Sequence, residues 1–409
     1  MNLAFTRLLQ VMKVLFVSPI AAITLLLALP PKLNAAELPG VEMGKSGVQN
    51  FIAKLEKGNK AHVAFLGGSI TQKPSGHFAM VSEWLQQEWP NVDFKFTNAG
   101  LSSTCSVSGA FRLKRDVLSK GQVDLLIVEF AVNDDQDAGY DRKTATRGLE
   151  GIIRQYFRSN PKGDVISVQF VNRSMLDKIE AGGEAISAAS HKGVARHYGV
   201  PIADVGQALA SEIRNGRMSW ANDYGGAHPT DGGYEFASGL ITHIIKKTPL
   251  AEIPSPETLP QPLDSGSYSN AVVINPQSLE WLGGWKWESV SRSLLPLGGI
   301  RDQYTTYRAL RSDESGSYLY CGFNGTMLGA FILAGPDSGS VEVSVDRGEW
   351  KRIQLFHERF SKGLNYPRFV ILADDLPRGS HQAAIRVSDS KPEMSEGRAA
   401  TMLFFGVNR

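Results

Sequence analysis

The run Val123-Asp124-Leu125-Leu126-Ile127-Val128-Glu129-Phe130 is apolar at nearly every position, the pattern of a strand covered on both faces rather than one with a solvated side. Its neighbours follow the same grammar. His62 to Gly67, Val92 to Phe96, Asp164 to Phe170 and Val200 to Val205 read as further strands, and helical spacing intervenes around Thr146 to Phe157 and Glu184 to Tyr198. Val48, Phe51, Ile52 and Leu55 space a leading amphipathic helix, and Tyr234, Ala237, Leu240, Ile241, Ile244 and Ile245 a closing one. Strands alternating with helices from about residue 60 to 247 predict a parallel sheet between helix layers, an α/β three-layer domain.

Open α/β sheets place their chemistry just beyond the C-terminal ends of strands, and this chain delivers polar groups there from several segments. The first strand stops at Gly67-Gly68 and presents Ser69; bare glycine backbone lets a substrate come close. A serine hydroxyl needs a general base to take its proton and donors to hold a developing oxyanion. Gly100, after the second strand, offers a backbone N–H, and Asn133, after the third, a side-chain amide. His228, in Gly225-Gly226-Ala227-His228-Pro229-Thr230 ahead of the closing helix, is the base candidate. Singly, such residues are more often turn or loop residues than catalytic ones; in this order, at strand ends, they read as nucleophile, donors and base. Glu129 is a carboxylate inside an apolar strand and must be paired, hydrogen-bonded or at the surface. It either braces the loops around Ser69 or serves the structure alone.

The four segments resemble the SGNH hydrolase superfamily, or GDSL esterases, over roughly residues 60 to 247. The resemblance implies that Ser69 is the nucleophile, that the Ser69 and Gly100 N–H groups and the Asn133 amide form the oxyanion hole, and that His228 is the base. The stretches Phe-Leu-Gly-Gly-Ser-Ile-Thr, Ser-Ser-Thr-Cys-Ser and Glu-Phe-Ala-Val-Asn-Asp-Asp-Gln-Asp are also similar to secreted bacterial members linked to polysaccharides. The chain departs from the family pattern at three positions. Gly68 stands where the name-giving Gly-Asp-Ser has Asp, Ala131 where the third block has Gly, and Gly225 where the carboxylate three residues before the base belongs. The nearest upstream acid is Asp223. A base needs a partner on its second ring nitrogen: either Asp223 reaches it through a bulge at the two glycines, or a main-chain carbonyl does so in a Ser-His dyad. Asp231, beyond His228, is placed to N-cap the closing helix.

Residues 1–36 carry Arg7 and Lys13, an apolar run from Val14 to Leu29 and the small-residue site Leu33-Asn34-Ala35-Ala36, which predicts a signal peptide and a secreted or periplasmic protein. A retained anchor is the alternative, but Pro19 interrupts the run, Pro30 and Pro31 end it, and the core is short against the ~20 residues of a span, so no stable membrane insertion is expected after cleavage. The charged residues of that segment are all basic, so the slight net charge of +2 belongs to it. With no Lys/Arg stripe interleaved with aromatics, nucleic acid is not an expected partner. Cys105 and Cys321, one per expected domain, read as buried free thiols.

The expected catalytic domain runs from 37 to 248, and residues 249–272, with Pro249, Pro254, Pro256, Pro260 and Pro262, read as an extended linker. From 273 to 409 strict alternation takes over. Val341 to Asp346 and Trp350 to Leu355 flank a turn at Arg347-Gly348 as a hairpin, and Ala383 to Val387 and Met402 to Val407 are further strands. An all-β sandwich of jelly-roll type is expected, with Trp281, Trp285 and Trp287 either filling its core or forming a sugar-stacking surface. The whole reads as a secreted serine esterase that removes O-acetyl or similar acyl groups from a carbohydrate or another small ester, with no metal or organic cofactor. An envelope glycan O-acyltransferase and a catalytically silent glycan-binding protein are the rival readings.

Overall fold

The computed structural model describes residues 38–409 apart from residues 59, 227 and 251–257; the expected signal peptide lies outside the described residues. The first sheet has strands β1 (Val41–Glu42), β2 (Ala61–Gly67), β3 (Phe94–Gly100), β4 (Leu125–Glu129), β5 (Asp164–Gln169) and β6 (Ile202–Asp204) in the order β1-β6-β5-β4-β2-β3. All pairs are parallel except the short edge pair β1–β6, which is antiparallel.

Both faces of this sheet are buried, as the apolar runs require. Phe65, Leu125 and Ile127 face helices α1 (Gln49–Leu55), α3 (His77–Glu88), α9 (Val205–Arg214) and α10 (Asp231–Lys247), while Leu66, Leu126 and Val128 face α4 (Ser106–Asp116), α6 (Arg142–Ser159) and α8 (Ile186–His197). Shorter helices α2 (Ser69–Gln72) and α5 (Ala131–Gln136) follow β2 and β4 directly, and α7 is Arg173–Glu180. The chain steps outward from β2 to β3 and then back past β2 to β4. That reversal opens a crevice at the strand C-termini, where open sheets bind ligands.

The second half is a sandwich of two antiparallel sheets. Strands β7 (Ala271–Ile274), β9 (Lys286–Ser289), β10 (Arg308–Ser312), β12 (Met327–Ala334), β15 (Tyr366–Ala373) and β17 (Ala400–Asn408) form one. The other contains β8 (Glu280–Leu282), β11 (Tyr318–Gly325), β13 (Ser340–Val345), β14 (Lys351–Gln354) and β16 (Gly379–Val387). The hairpin expected at 341–355 is β13–β14, its turn made by Asp346 and Arg347 at positive φ.

Strands β12 and β17 are buried at every position because their sheet is covered twice. Leu328, Ile332, Phe405 and Val407 pack on the outer sheet, whereas Phe331, Leu403 and Phe404, with Phe369 of β15, pack on the helix layer of the α/β domain. At the seam the Phe111 and Phe369 rings stack at 4.8 Å, and Gly406 is a glycine because a Cβ there would come within 2.7 Å of Phe111. Burying each such aromatic is worth about 1.5–3 kcal/mol, so the sandwich and the α/β domain share one apolar core.

Charge reinforces the seam. Arg147, on α6, pairs with Asp264, Asp374 and Asp375 at 2.7–2.9 Å. The described part of the proline-rich segment is pinned along the same helix: Leu263 and Asp264 N–H groups donate to Glu150, Arg154 donates to the Pro260 carbonyl, and Tyr268 is buried. Trp285 is buried in the sandwich core, and Trp281 and Trp287 are half-buried at its edge. Cys105 and Cys321 are both free and buried. Among the described residues no helix is long and apolar enough to cross a membrane.

Candidate active site

Strand β2 ends where two close contacts leave no room for side chains. A Cβ at Gly67 would lie 2.2 Å from Glu129 Oε1, and one at Gly68 would lie 2.1 Å from Asn133 Oδ1. In this arrangement a side chain at position 68 would displace the Asn133 amide, which fits the Gly found there in place of the Asp of the Gly-Asp-Ser pattern. Gly68 therefore N-caps α2 and Ser69 is its first residue.

Glu129 lies beneath this turn and is the brace. Its Oε1 accepts the Gly68 N–H at 2.9 Å and the Thr71 hydroxyl at 2.6 Å, while Oε2 has no partner among the described residues. Burial pushes its pKa up to about 7, against the pull of the two donors. Arg112, buried on α4, ties the same strand ends from the other side, donating to the carbonyls of Gly67 at 2.8 Å and Ala99 at 2.7 Å. Nothing in the helical spacing of 106–116 singles out that arginine; only the folded strand ends show its task.

The Ser69 hydroxyl and His228 Nε2 lie 2.7 Å apart, although 159 residues separate them. With the ring neutral and its proton on Nδ1, the hydroxyl donates. Burial holds the His228 pKa below the ordinary 6.5; Asp137 pulls it upward, and Lys73 and Arg301 push it further down. A base kept neutral is ready to accept a proton. Its loop is anchored by Thr230, whose N–H donates to the Tyr224 carbonyl and whose hydroxyl donates to the Asp223 carbonyl. Thr230 is also the N-cap of α10, accepting from Gly233 N–H, so the expected cap at Asp231 is displaced by one residue; Asp231 instead pairs with Lys73 at 2.7 Å.

Asp223 does not reach the base. Its Oδ2 accepts the Ser219 N–H at 2.6 Å and the Ser219 hydroxyl at 3.0 Å, closing its own turn. Gly225 and Gly226 do take positive φ, 50° and 68°, yet the local cap four residues back needs no loop closure and wins over the longer reach to His228. Among the described residues no carboxylate is hydrogen-bonded to the His228 ring.

The oxyanion donors are also rearranged. Gly100 N–H, expected to be bare, donates to Asn98 Oδ1 at 2.9 Å, an Asx turn that the sequence Asn-Ala-Gly permits. Ser69 N–H has no acceptor among the described residues. Asn133 Nδ2 gives one hydrogen to Asp137 Oδ2 at 2.6 Å and keeps the second. The free donors beside the hydroxyl are thus the Ser69 amide and the Asn133 side chain.

Ser69 and His228 open into a cleft of about 700 Å³. Gln72, Lys73 and Asp137 line it from the α/β domain, and Arg301, Arg359, Phe360 and Tyr366 from the sandwich. Phe360 and Tyr366 stack at 4.6 Å, Arg301 donates to the Ser103 hydroxyl at 2.8 Å, and His357 Nε2 donates to the Asp137 carbonyl at 2.8 Å. Sequence reasoning missed all five sandwich residues, because they reach the site only through packing of the two domains.

Residues 65–236 match the GDSL-like Lipase/Acylhydrolase family. Among solved structures, a two-domain esterase (CEX) active on acetylated mannans, co-crystallised with mannopentaose, superposes with a TM-score of 0.72 at 21% identity, covering 90% of this chain and 96% of that one. The same esterase without the oligosaccharide gives a TM-score of 0.72 at 21% identity, covering 90% and 97%. At that identity the likeness is one of fold, including the two-domain arrangement. No curated protein matches the chain.

Proposed function

We propose that this protein, whose residues 65–236 match the GDSL-like Lipase/Acylhydrolase family, is a serine hydrolase acting on esters that removes O-acetyl groups from a polysaccharide through an acyl-serine intermediate. The observation that carries the chemistry is the 2.7 Å contact between Ser69 and His228 at the end of β2. Ser69 Oγ attacks the ester carbonyl while its proton passes to His228 Nε2, and the carbonyl electrons move onto oxygen, held by the Ser69 N–H and the Asn133 amide. Collapse of this intermediate expels the sugar alkoxide, which takes the proton from His228. Water then attacks the acyl-serine with His228 again as base.

The polysaccharide part has separate support. The chain shares the two-domain fold of an esterase active on acetylated mannans, and the cleft joins a stacked aromatic pair to guanidinium groups suited to sugar faces and hydroxyls. Export is part of the proposal, resting on the basic, apolar and small-residue pattern of 1–36. Acetate release from acetylated mannan and acetylated xylan, with chemically deacetylated samples as blanks, is the test. The expected result is acetate from an acetylated glycan. Hydrolysis of a small activated ester with no acetate from any glycan overturns the substrate; glycan binding with no reaction at all overturns the esterase.

A further inference from the structure

We propose that Asp137 stands in for the acid missing at position 225: it clamps the Asn133 amide, supplies the negative charge facing His228, and is held in place by the sandwich domain. The proposal rests on the esterase reading above and adds to it a positioning residue from an unexpected segment.

The clamp is direct. Asp137 follows Asn133 by four residues at the C-cap of α5, and its Oδ2 accepts one hydrogen of the Asn133 amide at 2.6 Å. The hydrogens of a planar NH2 diverge at a fixed angle, so holding one aims the other. The amide oxygen packs against Gly68, where a Cβ would come within 2.1 Å of Oδ1, and has no hydrogen-bond partner among the described residues. The amide therefore has one orientation before substrate arrives, as electrostatic stabilisation of a transition state requires.

The charge is also placed. Asp137 lines the cleft with Ser69 and His228. The charged groups acting on the imidazole are Asp137, which favours its protonated form, and Lys73 and Arg301, which oppose it. Asp223, the carboxylate near His228 in sequence, is bonded to Ser219. When Ser69 gives up its proton, the imidazolium that forms meets two cations and a carboxylate from α5. Lys73 is itself paired with Asp231 at 2.7 Å, which leaves Arg301 as the cation that Asp137 chiefly offsets when the imidazolium forms.

The sandwich completes the arrangement. Asp137 is 8% exposed. His357 donates to its carbonyl at 2.8 Å, and the Tyr366 hydroxyl, Gln136 and Asn133 surround its carboxyl, whose pKa burial raises and the Asn133 hydrogen bond lowers. His357 and Tyr366 pack against each other at 5.2 Å. Asp137 thus joins the oxyanion donor to the second domain, which makes that domain part of the catalytic unit.

Asp137→Asn, near-isosteric, and Asp223→Asn are compared by kcat and KM against pH on a small activated ester, and by NMR titration of the His228 ring in the full chain. Asp137→Asn is expected to lower kcat about 10–100-fold, less than the ~10²–10³ for losing an oxyanion donor outright, with KM within about threefold. It should also move the acid limb of kcat/KM and the His228 titration to lower pH. Asp223→Asn is expected to stay within about threefold in kcat, with the His228 titration unmoved. A wild-type His228 titration in Asp137→Asn, or a displaced one in Asp223→Asn instead, overturns the proposal. A wild-type protein inert toward every ester sinks the esterase reading separately, and the titration still decides whether Asp137 faces the imidazole.

Discussion

Ser69→Ala is expected to lower turnover of a small activated ester by about 10⁴-fold or more, the scale on which serine hydrolases lose activity without their nucleophile. The fold should be indifferent to the change. Ser69 is partly exposed and its hydroxyl bonds only His228, at the mouth of the cleft, so the substitution leaves no fully buried group without a partner. A stability change within about 0.5 kcal/mol follows, typical of a surface substitution. Some rate above background should persist, because Ser69 N–H and Asn133 can still polarise a bound ester for attack by water. Initial rates paired with a thermal melt separate a lost nucleophile from a lost fold; equal turnover by the variant removes Ser69 from the mechanism.

Asn133→Ala ranks next, at about 10²–10³ in kcat, the usual cost of losing one oxyanion donor. The effect should fall on kcat with KM little changed, since the amide is asked to bind charge that develops only in the transition state. Here stability should also suffer. Asn133 is buried, and its removal leaves the Asp137 carboxylate without that donor, a penalty of about 1–3 kcal/mol. Assays well below the melting temperature keep the two effects apart. An unchanged kcat would take Asn133 out of the oxyanion hole.

The parts of this architecture written into the chain were those governed by local physics. Apolar runs such as 123–130 and strict alternation at 341–345 announced two kinds of sheet, because strand burial imprints a period on the sequence. Ser69, Asn133 and His228 were legible because glycine-marked strand ends are where a parallel sheet delivers side chains. What failed to show was settled by competition between partners. Asp223 is close to His228 in sequence, yet the Ser219 cap is closer in space and costs less chain ordering. Gly100 looked bare until Asn98 folded onto it. Arg301, Arg359, Phe360 and Tyr366 lie far along the chain from Ser69, and only the Phe111–Phe369 seam brings them to the cleft. No periodicity carries that information.

The central claim is that Ser69, activated by His228, forms a covalent bond with the acyl carbon. A serine-directed phosphonate followed by intact-mass measurement and peptide mapping tests it most directly. One adduct per chain on the peptide bearing Ser69, absent in Ser69→Ala and strongly slowed in His228→Ala, is the result expected. An adduct on another residue, or none while the protein still hydrolyses esters, would contradict it.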